Sequence, residues 1–329
     1  MPKTIQRWTR SHEFWLLAVV IVLSMFLTAA TDSFLTLQNL FDLLTSTSFA
    51  GILAAGLLVV LVFGGIDISF TAIASVAQYV ALMIAKTYPI GWFGVFLVAC
   101  CTGILCGLFN AAIIHKVRIS SVIVTISTLN IFYGLLIYIT RGDYITSLPS
   151  YFREGIWWFE FTDSNGFPYA INFQALLLVV AFFMTWVLLN KTNIGRQIYA
   201  MGGNEIAAER LGFHVFGLRC LVYGYMGFMA AIASISQAQL AQSVTPTTLI
   251  GKELEVLAAV VLGGASLAGG NGSVFGAVLG VMLIAILQNG LILLGVSSYW
   301  NQFFVGCVIL LAVSGTALSQ RRRHAGLAS

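Results

Sequence analysis

The sequence predicts an all-α polytopic membrane protein of about ten transmembrane helices. Of its 329 residues, 59% are hydrophobic, and the mean hydropathy is +0.94. Only 9% are charged, where a soluble surface carries roughly 25–35%. Several apolar runs have the ~20 residues that a helix needs to cross a ~30 Å hydrocarbon core. A membrane barrel would instead alternate in segments of about 10 residues.

Taken in order, the runs place spans at 14–30, 43–63, 70–85, 91–114, 119–139, 173–190, 218–238, 253–266, 274–295 and 301–318. Lys3, Arg7 and Arg10 precede the first run, as in a signal peptide. That run is long, however, and Asp32 follows with no small-x-small cleavage site, so it reads as an uncleaved span. The third and eighth runs are short and flanked by glycine, the pattern of broken or re-entrant helices. The chain thus divides into a cytoplasmic segment 1–13, one transmembrane domain 14–318 and a basic tail 319–329.

Lysine and arginine set the orientation. With the N-terminus inside, the inner segments hold Lys3, Arg7, Arg10, Lys116, Arg118, Lys191, Arg196, Arg210, Arg219 and Arg321 to Arg323, which is twelve. The outer segments hold Lys86, Arg141, Arg153 and Lys252, which is four. Twelve against four puts both termini and the loop 191–217 in the cytoplasm, and the loop 141–172 outside. The outer loop carries Tyr151, Trp157, Trp158, Phe159 and Phe161 among four carboxylates. Two readings stay open for it: an aromatic belt at the interface, or a docking surface for a partner outside the membrane. The basic tail and the net charge of +4 suit lipid headgroups and not nucleic acid.

The five cysteines, Cys100, Cys101, Cys106, Cys220 and Cys307, sit in apolar runs and read as packing residues. No metal site or disulfide framework is expected. The four histidines fall near the cytoplasmic span ends, and no catalytic set is visible, so the chain does not read as an enzyme. It contains no G-x4-G-K-[ST] phosphate loop; any ATP-driven transport would need the ATPase on another chain.

The motifs are few. The stretch 193–214 is a polar island, with Arg196, Asn204, Glu205, Glu209, Arg210 and His214 between apolar spans. Gly202 and Gly203 break the chain, Asn204 is placed to cap a short helix, and Glu205 sits in its first turn. Ile206, Ala207 and Ala208 propagate that helix. Arg210 and Leu211 close it, and Gly212 ends it. A loop this organised in water is expected to carry force between a soluble motor and the membrane path. Two glycine-rich punctuations follow apolar runs, at Gly64–Gly65 and from Gly263 to Gly272, and hint at an internal duplication.

Asp67 is a carboxylate beside a span with no basic neighbour in sequence. At the bilayer centre its charge would cost ~2.5–3.5 kcal/mol. It and Ser69 either face a wet translocation path or cap the next helix. Asn110, Asn130, Gln288 and Asn289, with Gln78 and Gln237, are polar residues inside spans. Such amides bond between helices or line a path, and uncharged amides suit a neutral polyol. Gly272, Gly276 and Gly280 form a doubled small-xxx-small pattern, as Gly103 and Gly107 do once, and are read as helix-packing positions.

Three of these stretches together resemble the ribose-type carbohydrate ABC importer permeases. They are NIGRQIYAMGGNEIAAERLGFHV from Asn193, EVLAAVVLGGASLAGGNGSVFGAVLG from Glu255, and FGGIDIS from Phe63. The likeness runs from about Leu37 to Val313. It implies a transmembrane subunit of the bacterial inner membrane that pairs with a second copy or a paralogue. It implies ATP-binding cassette subunits inside, which hold ATP and magnesium, and a sugar-binding protein outside; this chain itself would bind no cofactor. Branched-chain amino acid permeases are more distant relatives and stand as the alternative, with an ion-coupled secondary transporter behind them.

Overall fold

The computed structural model describes residues 12–154, 157–162, 168–300, 303–307 and 310. In chain order it has α1 (His12–Ala30), α2 (Leu37–Val62), α3 (Phe70–Thr87), α4 (Gly91–Val117), α5 (Ser121–Thr140) and the single turn α6 (Ser150–Arg153). A two-stranded antiparallel hairpin follows, β1 (Trp157–Thr162) and β2 (Pro168–Asn172), with a bulge between Trp157 and Phe159. Then come α7 (Phe173–Trp186), which continues through a π-turn to Lys191, α8 (Asn193–Gly203), α9 (Glu205–Arg210), α10 (Val215–Ala241), α11 (Glu253–Leu262) and α12 (Val274–Leu293). Apart from the hairpin, the described chain is helical.

Helix starts follow the capping chemistry. Thr36, Asn172, Thr192, Asn204, His214 and Ser273 each accept, through the side chain, a backbone amide of the first turn they open. Three long helices end on a residue in the left-handed region: Arg118, Arg141 and Gln242.

Eight helices among the described residues are long and apolar enough to cross a membrane. The expected third span is 18 residues long, enough to cross a membrane. The expected eighth is α11, whose 10 residues rise only about 15 Å, half of a hydrocarbon core. Turns precede it and a glycine break follows it, so it enters the bundle without crossing it. The expected tenth span, 301–318, lies almost wholly outside the described residues, as do the segment 1–11 and the basic tail.

Helices α2 and α10 form the axis of the bundle. From Ile52 to Val62 every residue of α2 is buried, which gives the continuous apolar run without a polar face. Helix α10 meets α4 backbone to backbone: a methyl on Gly103 would overlap the Gly227 carbonyl, and one on Gly107 the Tyr223 carbonyl. In lipid, where apolar burial drives little association, such close approach supplies the attraction. Polar bonds add to it. Gln174 bonds Gln239, Thr185 bonds Tyr225, and Asn39 and Asn289 exchange two amide bonds of 3.1 and 2.8 Å. Helices α1, α4 and α5 lie outermost and expose Trp15, Val22, Leu105, Ile123 and Leu135.

The glycine pattern of α12 differs in one place from the sequence expectation. Ser273 is the N-cap, so Gly272 precedes the helix and packs against the Val62 and Leu58 side chains. Gly276 and Gly280 are on the helix, where methyl groups would overlap the carbonyls of Gly263 and Ala259. The helix begins at Val274, after the capping Ser273, so only the Gly276–Gly280 half of the doubled spacing is helical.

Candidate functional site

The two glycine breaks have one backbone conformation. At the end of α2 the amides of Phe63, Gly64 and Gly65 donate to the carbonyls of Val59, Leu61 and Val60. At the end of α11 the amides of Gly263, Gly264 and Ala265 donate to Ala259, Val261 and Val260 in the same order. Gly64 has φ +90° and Gly264 φ +93°, a region that glycine enters without the penalty of a Cβ.

A third glycine pair brings these breaks together. Helix α8 ends at Gly202 and Gly203, wedged between the two. The Gly270 amide donates to the Val62 carbonyl at 2.9 Å. A Cβ on Gly64 would lie 3.3 Å from the Gly202 Cα, and one on Gly270 would lie 3.0 Å from the Gly203 Cα. A methyl on Gly202 would overlap the Val62 carbonyl, whereas one on Gly203 meets nothing. Tyr199 adds a bond from its hydroxyl to the Gly272 carbonyl at 2.7 Å. Burial holds that phenol above its ordinary value, so it stays protonated as the donor. Helix α8 buries Gly195, Ile198 and Met201 against the bundle, a helical spacing.

From this clamp the chain turns into α9. The Asn204 side chain accepts the Ala207 amide at 3.0 Å, and Glu205 lies in the first turn near the positive helix end. Gly212, at φ +85°, closes the helix. Only Ala208 is buried; Ile206 and Leu211 are 65% and 76% exposed. Glu205 pairs with Arg219 of α10 at 2.8 Å, and Arg219 also contacts His115 of α4 at 3.2 Å. The short helix is therefore braced to two spans and leaves an apolar pair facing outward.

The polar residues inside the spans fall in separate places. Asp67, Ser69 and Asn110 meet in the core. Asp67 Oδ1 accepts both the Ser69 amide at 2.8 Å and the Ser69 hydroxyl at 2.7 Å, and the Asn110 amide donates to that hydroxyl at 2.7 Å. Asp67 Oδ2 and Asn110 Oδ1 have no hydrogen-bond partner among the described residues. Asn130 is exposed on α5 and donates to Ile126 of its own helix. Gln288 and Asn289 line a cavity of about 190 Å³ between α2, α10, α11 and α12. Its lining mixes polar side chains, Thr47, Gln237, Glu255 and Gln288, with apolar ones, Phe49, Val256, Val281 and Ile284. Thr47 lies fifteen residues before Val62 on α2, so the cavity sits about 22 Å along the helix from the glycine clamp.

The cysteines form no disulfide, and Cys101 is exposed. No group of three His, Cys, Asp or Glu placed to hold a metal ion occurs among the described residues.

A bundle of apolar helices with one short, glycine-broken helix, a cavity of mixed polar and apolar lining and an exposed polar loop fits the class of membrane permeases. Residues 39–313 match the family described as the branched-chain amino acid transport system / permease component, and the chain belongs to that family. Among curated relatives it is 33% identical over 297 residues to the ribose import permease protein RbsC of Escherichia coli K12, covering 90% of this chain and 91% of that one. It is 35% identical to the ribose import permease protein of Bacillus subtilis, covering 89% of each chain. It is 31% identical over 316 residues to the autoinducer 2 import system permease protein LsrC of Salmonella typhi, with 94% of this chain and 86% of that one covered.

Sequence reasoning missed three participants. Helix α8 is hidden by its three glycines and polar residues, although Ile194, Ile198 and Met201 recur at helical spacing. Arg219 reads as one more inner-side cation, and its two partners lie on other elements. Glu255 stands inside the motif EVLAAVV, yet its place in a cavity depends on which way α11 faces.

Proposed function

We propose that this chain is the membrane-spanning subunit of an ATP-driven, binding-protein-dependent importer. It provides the path for a neutral sugar or sugar-like polyol across a bacterial inner membrane. The observation that carries the proposal is the clamp. Gly202 and Gly203 bind α9 to both glycine breaks, while Ile206, Arg210 and Leu211 face outward. A short capped helix so braced is suited to seat in a groove on an ATP-binding cassette subunit and pass rigid-body motion to the spans. ATP and magnesium belong to that subunit.

The lysine and arginine distribution supports both termini and α9 on the cytoplasmic side. It thereby puts the cavity toward the outer face, where a binding protein delivers the solute. A second permease copy or a paralogue completes the transporter. The amides and carboxylate among the cavity's lining residues, and relatives named as ribose and autoinducer 2 import permeases over nine-tenths of the chain, favour a polyol over a branched-chain amino acid. The test is reconstitution of the full complex in liposomes. ATP-dependent uptake of a neutral polyol is expected. Uptake driven by an ion gradient without the cassette subunit would overturn the reading.

A further inference from the structure

The cavity between α2, α10, α11 and α12 contains a carboxylate without a cationic partner. Glu255 Oε1 accepts the Gln288 side-chain amide at 3.0 Å. Its other oxygen makes no hydrogen bond to the described residues, and no cation among them lies within ion-pair distance; Arg219 and Glu205 form the only such pair there. Lys252 is one turn earlier on the same side of α11, at the exposed mouth. Asn289 is already spent on Asn39. Gln237, which also lines the cavity, makes no hydrogen bond to the described residues.

An ionised carboxylate only accepts hydrogen bonds, at about four lone-pair sites. Gln288 occupies one and holds the group in orientation. The remaining sites, with the amide of Gln237, call for a ligand rich in hydroxyl donors. The apolar lining residues Val256, Val281 and Ile284 suit the C–H face of a ring. At about 190 Å³ the cavity holds about six waters at ~30 Å³ each, the scale of one small sugar. We propose that Glu255, oriented by Gln288 and assisted by Gln237, binds two adjacent hydroxyls of the transported polyol. This rests on the importer reading above and assigns the binding group within it.

The experiment uses cells that express the intact importer and a panel of radiolabelled D-ribose, D-xylose, D-glucose and ribitol. Ser46 also lines the cavity but gives its hydroxyl to Leu43 of its own helix, so Ser46→Cys leaves the proposed grip intact and reports occupancy by thiol labelling. The transported member of the panel is expected to protect Cys at position 46 when Glu255 is native. With Glu255→Ala, protection is lost and maximal uptake falls by about tenfold, the scale of a hydrogen bond to a charged group. Glu255→Gln keeps the shape and recovers part of the uptake. If a panel member is taken up and Glu255→Ala protects and transports as the native chain does, the assignment is wrong and the importer reading stands. If no member is taken up, the polyol reading fails and the assignment with it.

Discussion

The Gly270 amide donates to the Val62 carbonyl across 2.9 Å, and Gly202 lies against that same carbonyl. Three glycine-rich stretches from distant parts of the chain thus share one backbone contact. Glycine is required there by space. Gly202→Ala would drive a methyl into the Val62 oxygen, whereas Gly203→Ala places one where nothing lies within 4 Å. Overpacking of this kind costs about 1–3 kcal/mol. Thermal unfolding in detergent should show Gly202→Ala lowered by several degrees and Gly203→Ala unchanged; equal effects would mean the clamp is loose.

Asp67 offers a separate contrast. Its Oδ1 accepts two bonds from Ser69, while Oδ2 and the Asn110 oxygen have no partner among the described residues. Asp67→Asn keeps the acceptor for Ser69 and the shape of the side chain. It should fold as well as the native chain. Asp67→Ala leaves the buried Ser69 amide and hydroxyl without their acceptor, at about 1–3 kcal/mol. Expression yield and melting temperature read the difference. A well-folded Asp67→Ala would show that the core admits water at this point.

The Glu205–Arg219 pair spans a half-exposed carboxylate and a largely buried guanidinium. Pairs with an exposed member contribute about 0–1 kcal/mol, so Glu205→Ala should leave melting nearly unchanged. Its effect is expected on coupling, because the pair ties α9 to α10. The number of ATP molecules hydrolysed per solute imported should rise at least severalfold. High salt should mimic the change in part, since the pair is partly screened. An unchanged ratio would assign the brace to Tyr199 and the glycine clamp alone.

What could be read from the sequence divides along a physical line. Apolar periodicity and capping chemistry are local, so eight of the ten expected spans, the Asn204 cap and the Gly212 stop are legible from residue types alone. Contacts between distant loops are not local. Nothing in Gly64, Gly202 or Gly270 taken singly says that they touch. Facing is also hidden: Asn130 and Asn110 are both amides inside spans, yet one is exposed on α5 and bonds its own helix while the other is buried beside Asp67. The hairpin 157–172 escaped because its aromatic run reads equally as an interfacial belt.

The exposed pair on α9 carries the strongest consequence. Ile206 and Leu211 are 65% and 76% exposed on a helix whose one buried residue is Ala208. Outside lipid, apolar side chains so presented mark a contact surface. Each would bury ~1.5–3 kcal/mol worth of side chain in a groove. Replacing both by Asp removes that contribution and places charge in the contact, yet leaves the Asn204 cap, the Arg219 brace and the glycine clamp in place. The double variant should insert and melt as the native chain does, while co-purification of the cassette subunit falls by an order of magnitude or more. ATP-dependent uptake should disappear with it. Retention of the cassette subunit by this variant would move the contact to another part of the 191–217 loop.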